Sequence, residues 1–164
     1  MANTVTRAPR ATPGADEIQA FQRATRDLIG VALHSLEAAG GGISLPQMRM
    51  LLALGDLGRC PSSAVAKALG LGASSVTRLA DRLVGSGHVL RGSDPHHRSV
   101  VTLQLSPLGQ TLIDQVLAWR ERELARILSR IDPALRAATA DGLDALHHVV
   151  GEDYAADLHG PVPL

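Results

Sequence analysis

The stretch Ala73-Ser74-Ser75-Val76-Thr77-Arg78-Leu79-Ala80-Asp81-Arg82-Leu83 has two unlike faces. At 100° per residue, Val76, Leu79, Ala80 and Leu83 share one stripe, while Ser74, Thr77, Arg78, Asp81 and Arg82 fall on the other. Such a helix packs by its apolar face and shows a short, polar, basic face. An ordinary surface helix can look the same, so the flanking segments decide between the two readings. Upstream, Pro61 suits the first turn of a short helix in which Val65, Ala66 and Leu69 point inward and Gly70 closes the C-terminus. Two short helices joined across Leu71-Gly72 read as a helix-turn-helix. Downstream of Gly85-Ser86-Gly87 the period drops from about 3.6 to 2. Val101, Leu103 and Leu105 alternate with Val100, Thr102 and Gln104, and Val89-Leu90-Arg91 supplies a partner strand. The connection from Gly92 to Ser99 is too long for a tight turn and should project as a loop. The expected fold is therefore mainly α: a winged helix-turn-helix with a wing of two or three strands.

Long helices flank this unit. Ile18, Phe21, Thr25, Leu28, Ala32 and Leu36 predict one buried stripe, ended by Gly40-Gly41-Gly42. Ser44 caps a second helix with Pro46 in its first turn and Met48, Leu51, Leu52 and Leu54 inward, up to Gly58. Pro107 starts another, with Leu108, Leu112, Val116 and Trp119 or Arg120 on one stripe and Leu117, Leu124, Ile127, Leu128 and Ile131 beyond it. Asp132-Pro133 then breaks the chain and caps a last helix carrying Leu135, Leu143, Leu146, Val149 and Val150. The organisation read from these signals is a disordered tail at 1–15, an N-terminal dimerisation helix at 16–43 and a DNA-reading lobe at 44–106. C-terminal dimerisation helices at 107–153 and a flexible tail at 154–164 complete it. The terminal apolar stripes exceed what a small lobe can cover, which predicts a homodimer.

The formal net charge of the 164 residues is zero, yet the charge is segregated. Residues 59–98 carry six basic against two acidic side chains, a net +4, and residues 99–164 carry five against nine, a net −4. Local charge is what attracts phosphate. A helix entering a major groove about 12 Å wide needs short donors near its N-terminus and arginines that reach guanine edges or phosphates. Ser74, Ser75, Thr77 and Arg78 occupy that end, with Arg82 one turn on. In the loop, Arg98 is the candidate for the minor groove, and Asp94 is placed to orient it through an ion pair.

These residues resemble the MarR family of bacterial regulators. The likeness rests on Val65-Ala66-x-x-Leu69-Gly70, on Ser75-Val76-Thr77-Arg78-Leu79 with Asp81-Arg82-Leu83, and on Gly87-His88-Val89-Leu90-Arg91. Above all it rests on Asp94-Pro95-His96-His97-Arg98 followed by Leu103-Gln104-Leu105-Ser106-Pro107-Leu108-Gly109. The resemblance implies a dimer built by the first, fifth and sixth helices. It also implies a near-palindromic operator in double-stranded DNA, repression, and a small-molecule effector bound between the scaffold and the reader. His34, Met48 and Arg49 are the residues expected to border that effector cleft. Ser99 departs from the family pattern, which often has a second arginine after the wing arginine.

Other readings stand beside this one. A winged helix can serve as a protein-interaction module without an operator. A lone Cys60 before a proline-started helix invites a thiol-sensing reading, because a helix dipole lowers a thiol pKa. A single cysteine allows no intrachain disulfide. His96-His97 and His147-His148 are adjacent pairs that cannot both face one ion from a helix, so no metal is expected. No His-Glu-x-x-His, P-loop or Gly-x-Ser-x-Gly string occurs, so neither an enzyme nor a cofactor is expected. Arg122, Arg126 and Arg130 read as a solvated stripe. Without a membrane-length apolar run or a signal-like N-terminus, the expected location is the cytoplasm.

Overall fold

The computed structural model describes residues 12–40, 42–95, 97 and 99–156, with side chains up to residue 150. Helices α1 (Ala15–Ala38) and α2 (Leu45–Leu57) precede strand β1 (Cys60–Pro61), after which come helices α3 (Ser62–Leu69) and α4 (Ala73–Gly85). Strands β2 (Val89–Ser93) and β3 (Val101–Leu105) lead into α5 (Pro107–Leu128) and α6 (Pro133–Ala156). The sheet has the order β1-β3-β2 with both pairs antiparallel. This is a mainly helical winged helix-turn-helix with a three-stranded wing. The tails expected at either end lie, for residues 1–11 and 157–164, outside the described residues, and α6 continues through Ala156.

At the starts of α2, α5 and α6 side chains satisfy amides that the helix's own turn cannot. Gln47 Oε1 accepts from both the Ser44 amide, at 2.9 Å, and the Ser44 hydroxyl, at 2.8 Å. Asp132 Oδ1 accepts from the amides of Ala134 and Leu135 at 2.9 and 3.2 Å, the cap expected at Asp132-Pro133. Ser106 does more than cap α5. Its Oγ accepts from the Gly109 amide at 3.0 Å while donating to the Gly87 carbonyl at 2.7 Å, and its own amide donates to the His88 carbonyl at 3.0 Å. One serine thus joins the end of α4, the wing and the start of α5.

The core lies inside the reader lobe. Met48, Met50, Leu51 and Leu54 of α2 pack with Val65 and Leu69 of α3, with Val76, Ala80 and Leu83 of α4, and with Val89 and Leu103 of the sheet. Leu112, Ile113 and Val116 of α5 and Leu36 of α1 close it.

Three expectations are corrected. Only the C-terminal third of the α1 stripe is buried, at Ala32, Ser35 and Leu36; Ile18, Phe21 and Leu28 are exposed, because α5 covers no more of that helix within one chain. Cys60-Pro61 is a strand, with Pro61 the N-cap of α3 rather than a first-turn residue; β3 offers Leu103 and Thr102 as pairing partners. The alternation in β3 is also imperfect, since Thr102 is buried and Val101 exposed. A central strand flanked on both edges is covered at Thr102, whereas Val101 lies beside the open loop.

Candidate nucleic-acid interface

Helix α4 turns Val76, Ala80 and Leu83 into the core, which fixes its opposite face outward. Ser74, Thr77, Arg78 and Arg82 are exposed on that face, and Ser75 is half-buried. Thr77 Oγ1 donates to the Ala73 carbonyl at 3.0 Å, leaving its lone pairs and methyl group to the exterior. Arg78 Nη2 reaches back to Ser75 Oγ across 3.3 Å, a long bond that a guanine or phosphate would readily replace. Asp81 would repel a phosphate from this face if left alone. Arg91 of β2 neutralises it, with Nη2 and Oδ1 2.5 Å apart, and thereby ties the wing to the helix. The role of Arg91 was missed in the sequence, where only the register of a sheet not yet built would have placed it over α4.

Beside α4 the paired strands run in register from Val89↔Leu105 to Ser93↔Val101. The loop they carry is pinned at its base by Asp94 N–H donating to the Val100 carbonyl, at 3.0 Å, and by Val100 N–H donating to the His97 carbonyl, at 2.8 Å. Asp94 Oδ1 accepts from the His97 amide at 3.0 Å, a side-chain turn that shapes the loop locally. Arg98, the minor-groove candidate, and His96 lie outside the described residues, and with Arg98 lies the expected Asp94–Arg98 pair.

The expected effector residues do not come together at a cleft. Met48 is fully buried and belongs to the core cluster. His34 is exposed on α1, and Arg49 is half-buried on α2 with its Nε enclosed and without a hydrogen-bond partner among the described residues. Open space lies instead along α1. A cleft of about 350 Å³ is walled by Thr25, Leu28, Ile29 and Ala32 of α1 with Arg120 and Leu124 of α5. Burial pushes the Arg120 guanidinium pKa down, and its Nε donates to the buried Ser35 Oγ at 2.8 Å. A second space of about 480 Å³ opens where Gly40 faces Trp119 and Arg122.

Cys60 is buried in β1, and desolvation pushes its thiol pKa up, opposite to the dipole effect that a sensing role would use. The protonated thiol is favoured at neutral pH. We expect iodoacetamide at pH 7.5 to label the native protein roughly tenfold more slowly than the urea-unfolded chain. Because the folded pKa is raised, the thiol's contribution to stability is complete below the unfolded value and is lost as pH rises through the alkaline range. Equal labelling rates would restore Cys60 as a reactive group.

Arg126 of the stripe on α5 is held by Glu123 through bonds of 2.9 and 2.6 Å, and those bonds hold the Glu123 carboxyl below its usual range. That pairing fits a solvated face better than a second phosphate site. Among the described residues no cluster of His, Cys, Asp and Glu is placed to hold a metal ion, and no helix is long and apolar enough to cross a membrane.

A sequence profile described as the MarR family matches residues 41–99, the span from the loop before α2 into the wing. The chain belongs to the MarR family. This MarR-family chain is similar to the uncharacterized HTH-type transcriptional regulator YfiV of Bacillus subtilis, 31% identical over 104 residues that cover 63% of the chain and 65% of YfiV. It is also similar to the HTH-type transcriptional repressor MdtR of the same organism, 32% identical over 97 residues, or 59% and 61% of the two chains. The matches thus span somewhat less than two thirds of the length of these curated relatives. Among solved structures, RV1404 from Mycobacterium tuberculosis superimposes with a TM-score of 0.78 at 31% identity, covering 85% of this chain and 96% of that one.

Proposed function

We propose that this protein is a cytoplasmic, homodimeric transcription regulator that binds a near-palindromic operator in double-stranded DNA, represses from it, and is released by a small-molecule effector. The observation that carries the reading is the exposed Ser74, Thr77, Arg78 and Arg82 face of α4, with a charge-neutralised Asp81 and a wing fastened beside it. The relatives YfiV and MdtR are named transcriptional regulators, and MdtR a repressor, which supports regulation rather than catalysis. In this reading α4 enters the major groove, Asp94 shapes the loop that brings Arg98 to the minor groove, and two copies of α4 sit about 34 Å apart. The effector acts by changing that spacing, from a site spanning the junction of scaffold and reader. His34 and Arg49 remain candidates for its edge, and the α1–α5 cleft supplies an open, mainly apolar space.

Selection of duplexes from a random pool, followed by titration of the enriched sequence in increasing salt, tests the proposal. Binding should weaken with a slope of about −0.9 per phosphate contact. A protein-interaction module would enrich no sequence. On the enriched duplex, Arg78→Ala should cut discrimination between operator and random DNA by about 1–3 kcal/mol, because only a base contact carries sequence information. Unaltered discrimination would remove Arg78 from the groove.

A further inference from the structure

Arg59 stands between the end of α2 and the edge strand β1, yet its guanidinium lies over the opposite edge of the sheet. Nη2 donates to the Ser93 carbonyl at 2.8 Å, the last residue of β2 before the loop. To reach it the side chain crosses the central strand β3, a span of about 10 Å between the outer strands. Gly92 makes room for that crossing. A Cβ at Gly92 would lie 3.1 Å from Thr102 Oγ1, a tight approach, and 3.4 Å from Arg59 Nη2, in van der Waals contact with the guanidinium, so a side chain longer than a methyl would enter its space. The strap ends next to Asp94, whose amide closes the base of the loop.

From this geometry we propose that Arg59 is a positioning residue for the wing: by strapping β1 to the end of β2 it sets the direction in which the loop of residues 94–100 leaves the sheet, and so the loop's contact with DNA. This inference rests on the proposed DNA-binding function. Arg91 and Asp81 fasten the middle of β2 to α4, and Arg59 fastens its end. Together they hold the wing at two points, and only the outer one lies next to the loop.

Full-length Arg59→Ala, Arg59→Lys and Gly92→Val variants separate positioning from simple phosphate attraction, because Gly92→Val keeps the charge while its branched side chain takes the space of the guanidinium. In the free protein, the Asp94 and Val100 amides of Arg59→Ala and Gly92→Val should exchange hydrogen about tenfold faster than in the wild type, the scale set by losing one charge-assisted bond. On the enriched duplex, Kd should rise about tenfold, with footprint protection lost at the wing but kept under α4. The double variant should be no worse than either single one, since both release the same contact. Arg59→Lys should recover part of the effect. Unchanged exchange in both single variants overturns the proposal. So does a loss of affinity confined to Arg59→Ala, which would mark a plain phosphate contact. Faster exchange with an intact wing footprint overturns the link to DNA, and a wild type that binds no duplex overturns the proposed function itself while the exchange result still decides the strap.

Discussion

Replacing Gly109 by alanine should lower the midpoint of thermal unfolding by about 6–12 °C, the consequence of roughly 3 kcal/mol of overpacking in a chain of this length. Gly109 is buried in the first turn of α5, where a Cβ would press into the His88 carbonyl oxygen and stand 2.8 Å from Leu105 Cδ1. Leu105 can adjust, but the carbonyl cannot move cheaply. It accepts the Ser106 amide at 3.0 Å, while the His88 amide donates to the Leu83 carbonyl at 2.9 Å, so a shift would strain both the wing and the end of α4. Gly55→Ala is the control. Gly55 sits inside α2 with its nearest outside atom 3.9 Å from a built Cβ, so alanine there should stabilise the chain by about 0.5–1 kcal/mol. A Gly109→Ala protein that melts with the wild type would show that α5 approaches the wing less closely than described.

Leu143→Glu should leave the fold of the reader lobe intact, convert the protein to monomers at about 10 μM and weaken operator binding by two to three orders of magnitude, because one recognition helix then binds without its twin. Helix α6 leaves Leu135, Leu143, Leu146 and Val149 exposed, and α1 leaves Ile18, Phe21, Leu28 and Ile29 exposed. A space of about 690 Å³ lined by Ile18, Phe21 and Leu146 lies between these two surfaces. So large an apolar surface calls for cover, and a second copy offers the same helices as a matching surface. A glutamate at its centre would have to be desolvated on association, at a cost of several kcal/mol. Light scattering reads the mass, circular dichroism the fold and anisotropy the affinity. A wild type that is itself monomeric, or a variant that stays dimeric, would sink the dimer.

What could be read from the chain alone differs from place to place for physical reasons. The helix starts at Ser44 and Asp132 were legible because capping is a local bargain between side chains and amides within one turn, from Gln47 back to Ser44 and from Asp132 on to Ala134. The outward face of α4 was legible because its four apolar positions fix the rest by helix geometry. The strand at Cys60-Pro61 was not, since two residues carry no period and their only reason to be extended is β3, more than forty positions away. The inward turn of Met48 was legible in the period, but which residues it packs among was not.

The sequence by itself determined the order of the six helices and the two long strands, the apolar and basic faces of α4, and the family, since each depends on neighbours within a few turns of chain or on an ordered set of motifs. Only the tertiary structure decided that Arg91 neutralises Asp81, that Arg59 reaches the end of β2, that Cys60 is desolvated and that the N-terminal part of α1 and residues 133–149 of α6 are left uncovered. Those outcomes join residues distant in sequence, and a side chain's reach, desolvation and burial depend on what packs against it, which periodicity cannot name.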